Sequence, residues 1–578
     1  SVAPGTQGNA LIAKIRDSKR SIAWEAEGVE SSVALRDKLG YSFIINGKND
    51  GHCRIDAPTQ VMFGLMGAML HPNPKRVLVI GLGSGSTAGW LASIPSVKRV
   101  DVVELEPAIM EVARRCASVN RNVLSNPKVR VIFGDARETL MSTPDMYDLV
   151  VSEPSNPFRA GISSLFSQDF YRAVAKRLRP NGILVQWLQN YKISAEIVRM
   201  TFSTLRSVFP HLELWCSHLL YDYIFIASKA QLKHHIPTIR TRTQQEPYRT
   251  AMQYAWGVQG AEGFYSGFVL SSRFSDSLWQ AWKDEINTDD FPMLEFAFSK
   301  SSVKSIKVKT NSLRKLAKNR GFFYPRLTGG TLNWQLVGHN RHVRSIAENV
   351  TLGLDTEKRE NYRKKLIIRH YNQGNLQRAA QLWHAQKDKP IGITDLVMAA
   401  ELMSLKAPKQ ALPYIQKLKS SRIVEYHIML AHWHLRLGRG DDSIRHLHKA
   451  FQLAQKDPWY TYRVMTRALD LAKHLVSRYK LRAKKLFDVL GKPFAIHMFH
   501  EPRKRLRITL VAMLRLTNRC AEAFRAFEPH FPWEEKLLKQ RFLCYKANKD
   551  PLTLRAYEEY RRFKGDALHS LGQILLSK

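Results

Sequence analysis

The sequence predicts a parallel α/β domain, preceded by a small β-meander and followed by an all-helical region. Three observations predict it. Between Arg76 and Trp187, short apolar strands alternate with helices. Ahead of that stretch, residues 20–47 hold short strand-like runs set off by turn residues. After about residue 360, turns carrying Gly or Pro recur at roughly 30-odd residues, the period of stacked helical hairpins.

The meander is expected to use Ser21–Glu27, Ser31–Arg36 and Tyr41–Asn46, with turns at Gly28, Gly40 and Asn46-Gly47. An apolar helical stretch from Thr59 to Leu70 follows, and Pro72 and Pro74 break it. Val77–Ile80 reads as a buried strand, Gly81-Leu82-Gly83-Ser84-Gly85 as a tight turn, and a helix starts at Thr87. Further strands are expected at Val100–Glu104, Val129–Phe133, Leu149–Ser152 and Ile183–Trp187. Helices are expected at Pro107–Cys116 and Gln168–Leu178. Such alternation implies a parallel sheet covered on both faces. His211–Trp215 and Tyr223–Ala227 read as a closing strand pair at the sheet edge. The expected domains are 1–70, 71–230, a basic extension over 231–355, and a helical region over 356–578. In that last region Trp433, Leu437-Gly438, Ala450 and Pro458 approach a tetratricopeptide-like pattern, in which small residues let paired helices approach closely.

Composition bounds the rest. The chain has 578 residues, 44% of them hydrophobic, which supports several packed cores and excludes wholesale disorder. Lys and Arg number 89 against 50 Asp and Glu, a net +39 that speaks to partners rather than fold. From Phe296 to Ala347 there is no acid, while Lys300, Lys304, Lys307, Lys309, Arg314 and Arg344 are among the cations. That block is expected to be an electrostatic surface for anionic lipid or an acidic protein, with nucleic acid second. The five cysteines form no CxxC pair and are odd in number, so neither a zinc site nor a disulfide framework is expected, and a reducing, cytoplasmic setting is. No apolar run reaches the roughly 18–20 residues of a membrane span. The chain begins Ser1-Val2-Ala3, as a processed product or a piece of a longer chain does.

Three motifs outline a nucleoside site. Gly81, Gly83, Ser84 and Gly85 lie between a strand and a helix, where backbone can approach a ligand and N–H groups face it. Glu104, with Leu105 beside it, ends the next strand roughly 20 residues on, the place of a carboxylate that accepts from ribose hydroxyls. Asp135 and Ala136 follow the third strand, where an acid can accept from an adenine amino group. The turn lacks the third glycine of a dinucleotide fingerprint. The order is that of a Rossmann-like class I S-adenosylmethionine (SAM) fold rather than of a dehydrogenase.

The fourth motif carries a resemblance. Glu153-Pro154-Ser155-Asn156-Pro157 ends the fourth strand, followed by Leu165-Phe166 and Phe170-Tyr171. With the meander, these resemble spermidine synthases over residues 20–230. Val185-Gln186-Trp187 and Asn287-Thr288-Asp289-Asp290, then Pro292 and Glu295, are similar to the divergent bacterial branch known as fused membrane-protein/spermidine synthases, whose members often carry a membrane segment. The resemblance implies a transferase acting on SAM or decarboxylated SAM, with an inner-membrane-face location for a membrane-attached member. It implies Glu153 as base and Asn156 as orienting group. Gln60, Gln186, Trp187, Gln189, Tyr221 and Asp222 are the candidate acceptor-pocket residues.

Departures qualify what it implies. Ser84 stands where the family has the acid that contacts the donor's amine, Asn156 replaces an acid, and Gln60-Val61 replaces a Tyr-His pair. The expectation is transfer of an aminopropyl, aminocarboxypropyl or methyl group to an unidentified nucleophile, without authentic spermidine synthesis. Loss of the acid at 84 favours intact SAM, whose carboxylate an acid would repel. The alternative is a catalytically altered scaffold that recruits protein partners through its helical repeats.

Overall fold

In the computed structural model the chain is described except at residues 1–3, 156–160, 192, 220–221, 284, 302–309, 349–358, 386–389, 391 and 566–578. It opens with a helix that the sequence reading did not anticipate, α1 (Pro4–Ser21), followed by β1 (Ile22–Glu27), β2 (Ser32–Arg36), β3 (Ser42–Ile45) and β4 (Lys48–His52) in a four-stranded sheet of order β1-β2-β3-β4. The fourth strand was missed because Lys48-Asn49-Asp50 has no apolar alternation. α2 (Ala57–Leu70) is buried along its whole length, as its nearly unbroken apolar sequence requires.

The central sheet follows: β5 (Arg76–Ile80), α3 (Ser86–Ala92), β6 (Arg99–Glu104), α4 (Ile109–Arg115), β7 (Val129–Phe133), α5 (Ala136–Ser142), β8 (Tyr147–Ser152), α6 (Gln168–Arg177), β9 (Leu178–Gln189), α7 (Ala195–Arg206), β10 (His211–Trp215) and β11 (Asp222–Ser228). His234–His235 forms β12, Phe268–Leu270 forms β13 and Leu327–Thr328 forms β14. The eight-stranded order is β13-β10-β11-β9-β8-β5-β6-β7, and β12 pairs separately with β14. β7, β6, β5, β8 and β9 are parallel neighbours. β11, β10 and β13 join antiparallel.

This is the Rossmann-like sheet expected, parallel over β5–β9 and closed by an antiparallel pair, with one correction. The β10–β11 pair is not at its edge, because β13 pairs with Leu214 and Trp215 and lies outside it. Chain order reverses between β5 and β8, and open α/β sheets bind ligands at such a point.

Two compact units divide the chain: residues 1–25, 34–42 and 422–578 form one, and 26–33 with 43–421 the other. The division falls elsewhere than the expected boundaries at 70, 230 and 355. Helices run from Arg359 to Lys417 in the larger unit and from Ile423 to Lys564 in the smaller. Within them Arg359–Asn372 packs on Leu376–His384, Ile393–Lys406 on Pro408–Lys417, and Ile423–Arg436 on Gly440–Ala454. The last of these pairs shows the role of small residues. Ser443 and Ala450 are fully buried, and the Ser443 hydroxyl donates to the Ala431 carbonyl at 2.7 Å. No helix among the described residues is long and apolar enough to cross a membrane.

The cysteine expectation is also corrected. Cys53 is bonded to Cys116 and Cys520 to Cys544, each pair with Cα atoms 6.1 Å apart, leaving Cys216 as the buried free thiol. Partners 63 residues apart carry no spacing signal in the sequence.

The acid-free block proves partly structural. Arg314 is buried and donates to the Phe268 carbonyl at 3.1 Å, against the edge strand. Arg344 is fully buried: it pairs with Glu348 at 2.7 Å, donates to Ser217 O at 2.5 Å and stacks 3.9 Å over the Trp256 ring. Neither belongs to an exposed surface. Lys304, Lys307 and Lys309 lie outside the described residues.

Candidate functional site: a carboxylate cluster beside a glycine turn

The strand ends set the site. Ile80 is in register with Val103 and with Ser152, and Glu104 with Phe133. Gly81, Glu104, Gly134-Asp135 and Glu153 therefore emerge along one carboxyl-terminal edge. Gly81, Gly83 and Gly85 all have positive φ, of 92°, 51° and 77°. A Cβ at Gly81 would stand 2.9 Å from the Glu153 carbonyl oxygen, so glycine is demanded by both conformation and space.

Glu104 Oε2 accepts from Leu82 N at 2.8 Å and Oε1 from Glu106 N at 3.0 Å. A carboxylate held in place by backbone donors is the acceptor type that a ribose diol needs. Burial raises the Glu104 pKa, and these backbone donors oppose the rise. Leu105 beside it is 50% exposed, an apolar flank at the strand end. Asp135 caps α5 through one oxygen, Oδ1, which accepts from Arg137 N at 2.6 Å and Glu138 N at 3.3 Å. Ala136 is buried at the start of that helix. The glycine cradle and the Glu104 carboxylate thus fit a nucleoside.

Ser84 and Gln60 are engaged with each other: the buried Ser84 hydroxyl donates to Gln60 Oε1 at 2.5 Å. They form a packed pair behind the glycine turn. Thr87 Oγ1 lies 2.8 Å from Gln60 O and 2.7 Å from Glu153 Oε2. Desolvation pushes Glu153 up to about 7, against the Thr87 hydrogen bond and with the charges of Asp222 and Asp56.

On the neighbouring strands, Asp222 begins β11 opposite Gln189 of β9. Its Oδ1 accepts from Trp187 Nε1 at 2.9 Å and its Oδ2 from the Thr59 hydroxyl, which Ser217 Oγ approaches at 3.1 Å. Desolvation raises the Asp222 pKa. Gln186 and Gln189 are fully buried, each spending its Nε2 on local backbone, Trp187 O at 3.1 Å and Tyr191 O at 3.0 Å. Asn156 and Tyr221 lie outside the described residues.

The structure brings Glu153, Trp187 and Asp222 together and adds a group that sequence reasoning missed. Asp56 precedes α2 at the cap position yet makes no capping hydrogen bond. Its Oδ2 accepts instead from His52 N at 2.7 Å. Desolvation and the charge of Asp222 push it up to about 7. Tyr191 is raised by desolvation and then by Asp222, Asp56 and Asp50. Nothing in the local sequence sets Asp56 apart from an ordinary residue before a helix. Asp56 thus adds a carboxyl near Glu153 and Asp222, whose charges act on one another.

The Asn287–Glu295 motif supports the loop after β8. Asn287 Nδ2 donates to Phe166 O at 3.3 Å, Gln168 N to Asn287 O at 2.8 Å, and Ser163 Oγ to Glu295 at 2.9 Å. Asp289 pairs with Arg137 on the helix that Asp135 caps.

Residues 58–221 match the spermine/spermidine synthase domain. Polyamine aminopropyltransferase of Clostridium perfringens is 30% identical over 151 residues, 26% of this chain and 53% of that protein. Its counterpart in Nitrosomonas europaea is 32% identical over 143 residues, covering 25% and 44%. Putrescine N-methyltransferase 2 of Nicotiana attenuata is 30% identical over 139 residues, covering 24% and 37%. The chain spans about half the length, or less, of these curated relatives. A crystal structure of spermidine synthase with the transition-state analogue AdoDATO aligns at 20% identity and a TM-score of 0.34, over 36% of this chain and 74% of that one. The glycine turn, the Glu104 carboxylate and the matched sequence coincide on one stretch: residues 58–221 are similar to the spermine/spermidine synthase domain.

Proposed function

We propose that the protein is an alkyltransferase that transfers a group from SAM or decarboxylated SAM to the nitrogen of a cationic amine. The observation that carries this is the convergence of Asp56, Glu153 and Asp222 beside the glycine turn. Burial raises all three, Asp222 further raises Asp56, and Asp222 and Asp56 further raise Glu153, so a cation among them relieves that repulsion. The named relatives act on polyamines or putrescine, in line with an amine acceptor. Ser84, standing where the family carries an acid, favours intact SAM as donor.

A bound sulfonium nucleoside would supply an electrophilic carbon next to positively charged sulfur. Glu104 and the turn at Gly81–Gly85 would hold the ribose and the chain leading to that carbon. Asp56 and Asp222 would bind the acceptor's ammonium groups, with Trp187 as an apolar wall. Glu153 takes the proton that the attacking nitrogen must lose. The nitrogen lone pair forms the new C–N bond, the C–S bond breaks with its electron pair going to sulfur, and the proton ends on the Glu153 carboxylate. A base poised near 7 suits that task.

The test is mass-spectrometric product analysis of the full chain with each donor against a panel of mono- and diamines, beside Glu153→Gln. The expected result is N-alkylated product, preferentially from SAM, reduced by about 10²–10⁴-fold in the variant, the usual worth of a general base. Absence of product with any amine, or full activity in Glu153→Gln, overturns the proposal.

A further inference from the structure

The smaller unit carries a cluster that the transferase reading does not use. Asp37 follows β2, its N–H donating to Ser21 O at 2.8 Å. His497 and His500 sit at the entry to the helix His500–Leu514. One ligand-type atom from each of the three residues lies within 4.8 Å of the other two. His497 Nδ1 and His500 Nε2 are each 3.4 Å from the same atom, Asp37 Oδ2. The two imidazoles stack with centroids 4.5 Å apart and planes 9° apart.

We propose that Asp37, His497 and His500 form a binding site for a divalent transition-metal ion of the zinc type, with an open coordination position. Distance is the first argument. A charge-assisted N–H···O bond draws its atoms to about 2.7–2.9 Å. Ligands about 2.0–2.1 Å from a tetrahedral zinc ion are separated by about 3.3–3.4 Å. Both imidazole–carboxylate separations match the edge of that tetrahedron and are too long for a strong direct hydrogen bond.

Donor chemistry is the second. Two imidazole nitrogens and one carboxylate oxygen suit Zn²⁺ and its neighbours, Co²⁺ and Ni²⁺, and are too nitrogen-rich for Mg²⁺ or Ca²⁺. The side chains of Asp37, His497 and His500 are 12%, 30% and 15% exposed, so the group is sheltered yet leaves solvent a route to a fourth position.

Backbone is the third. Ile496, His497 and Phe499 all adopt left-handed conformations, with φ of 47°, 56° and 54°. Non-glycine residues there, a β-branched one included, store strain that surrounding structure must hold, and such strain clusters at ligand clamps. The Tyr41 ring, 4.9 Å from His497, braces the imidazole.

Nearby cations oppose a metal ion, one of them offset by an ion pair. Arg20 is paired with Glu501 at 3.0 Å, and the Arg503 guanidinium lies 3.5 Å from His500 Nδ1, on the ring nitrogen away from Asp37.

The experiment uses the full chain, stripped by chelator and titrated with Co²⁺ alone. One equivalent is expected to give the visible absorption of four-coordinate Co²⁺, displaced by Zn²⁺. Asp37→Asn, His497→Gln and His500→Gln are each expected to weaken Co²⁺ by at least about tenfold, no less than loss of an outer-shell partner does. His446→Gln tests the other histidine cluster of this unit, where His427 and His446 nitrogens lie 2.9 Å apart, and is expected to change nothing. Absence of the spectrum in excess Co²⁺, equal affinity in the three variants, or loss in His446→Gln overturns the proposal. If the variants do not fold, zinc-soaked crystals of the unaltered protein decide it. An anomalous peak among Asp37, His497 and His500 upholds it, and a peak only elsewhere rejects it.

Discussion

Glu153 and Asp56 are carboxyls whose protons are held by burial, and that has two measurable consequences. A base pushed up to about 7 is half protonated near neutrality. The kcat/KM for amine alkylation is expected to rise with pH through about 7. Thr87→Val removes a donor that favours the Glu153 anion, so the rising limb should move to higher pH; an unmoved limb assigns it to another group. The second consequence is stability. The folded protein holds the Asp56 proton up to about 7, against an ordinary 3.8. Between these values the folded state binds more protons than the unfolded one, so this contribution is present at low pH and is lost as pH rises through about 7. Asp56→Asn keeps an oxygen for His52 N and removes the titration. Its Tm, relative to the unaltered protein, is expected to rise between pH 5 and pH 8, and a constant difference would deny Asp56 that role. Sequence showed the residues at strand ends, Gly81, Glu104, Asp135 and Glu153, because each strand's apolar run fixes where it stops. It hid Asp56, whose role depends on Asp222, a strand-start residue far along the chain.

The strands themselves were legible where turn residues bound them: β7 and β10 have their expected limits, and β6 and β11 lie within a residue of theirs. β13 was not legible, since three residues are too few to show alternation and only pairing to Leu214 and Trp215 makes them a strand. The helix Trp334–Ala347 shows why charge reads poorly as surface. Its Arg344 closes a fully buried pair with Glu348, whose Oε2 accepts from Leu219 N at 2.8 Å. Trp256 Nε1 reaches Ser217 O at 2.7 Å and Pro58 O at 3.0 Å, so one knot fixes the loop that leads into Asp222 and the start of α2. Arg344→Met leaves Glu348 buried without its cation and is expected to cost about 3–5 kcal/mol. Denaturant unfolding measures it, and a loss below about 1 kcal/mol would mean that the loop carries itself.

At the scale of the whole chain, the helical region was anticipated from its turns, whereas the Asp37–His497 approach spans 460 positions and left no trace in sequence. The antiparallel side of the central sheet has a practical consequence. The matched domain stops at residue 221, and β11 begins at Asp222. A clone trimmed to residues 58–221 would lack Asp222 and would bare β9, whose residues Ile183–Gln189 all pair with β11. An exposed apolar strand edge of seven residues is a template for self-association. Such a fragment is expected to collect in inclusion bodies, while one extended through β13 and the Trp334–Ala347 helix is expected to stay in the supernatant. Comparing the soluble yield of the two shows where this enzyme-like core truly ends.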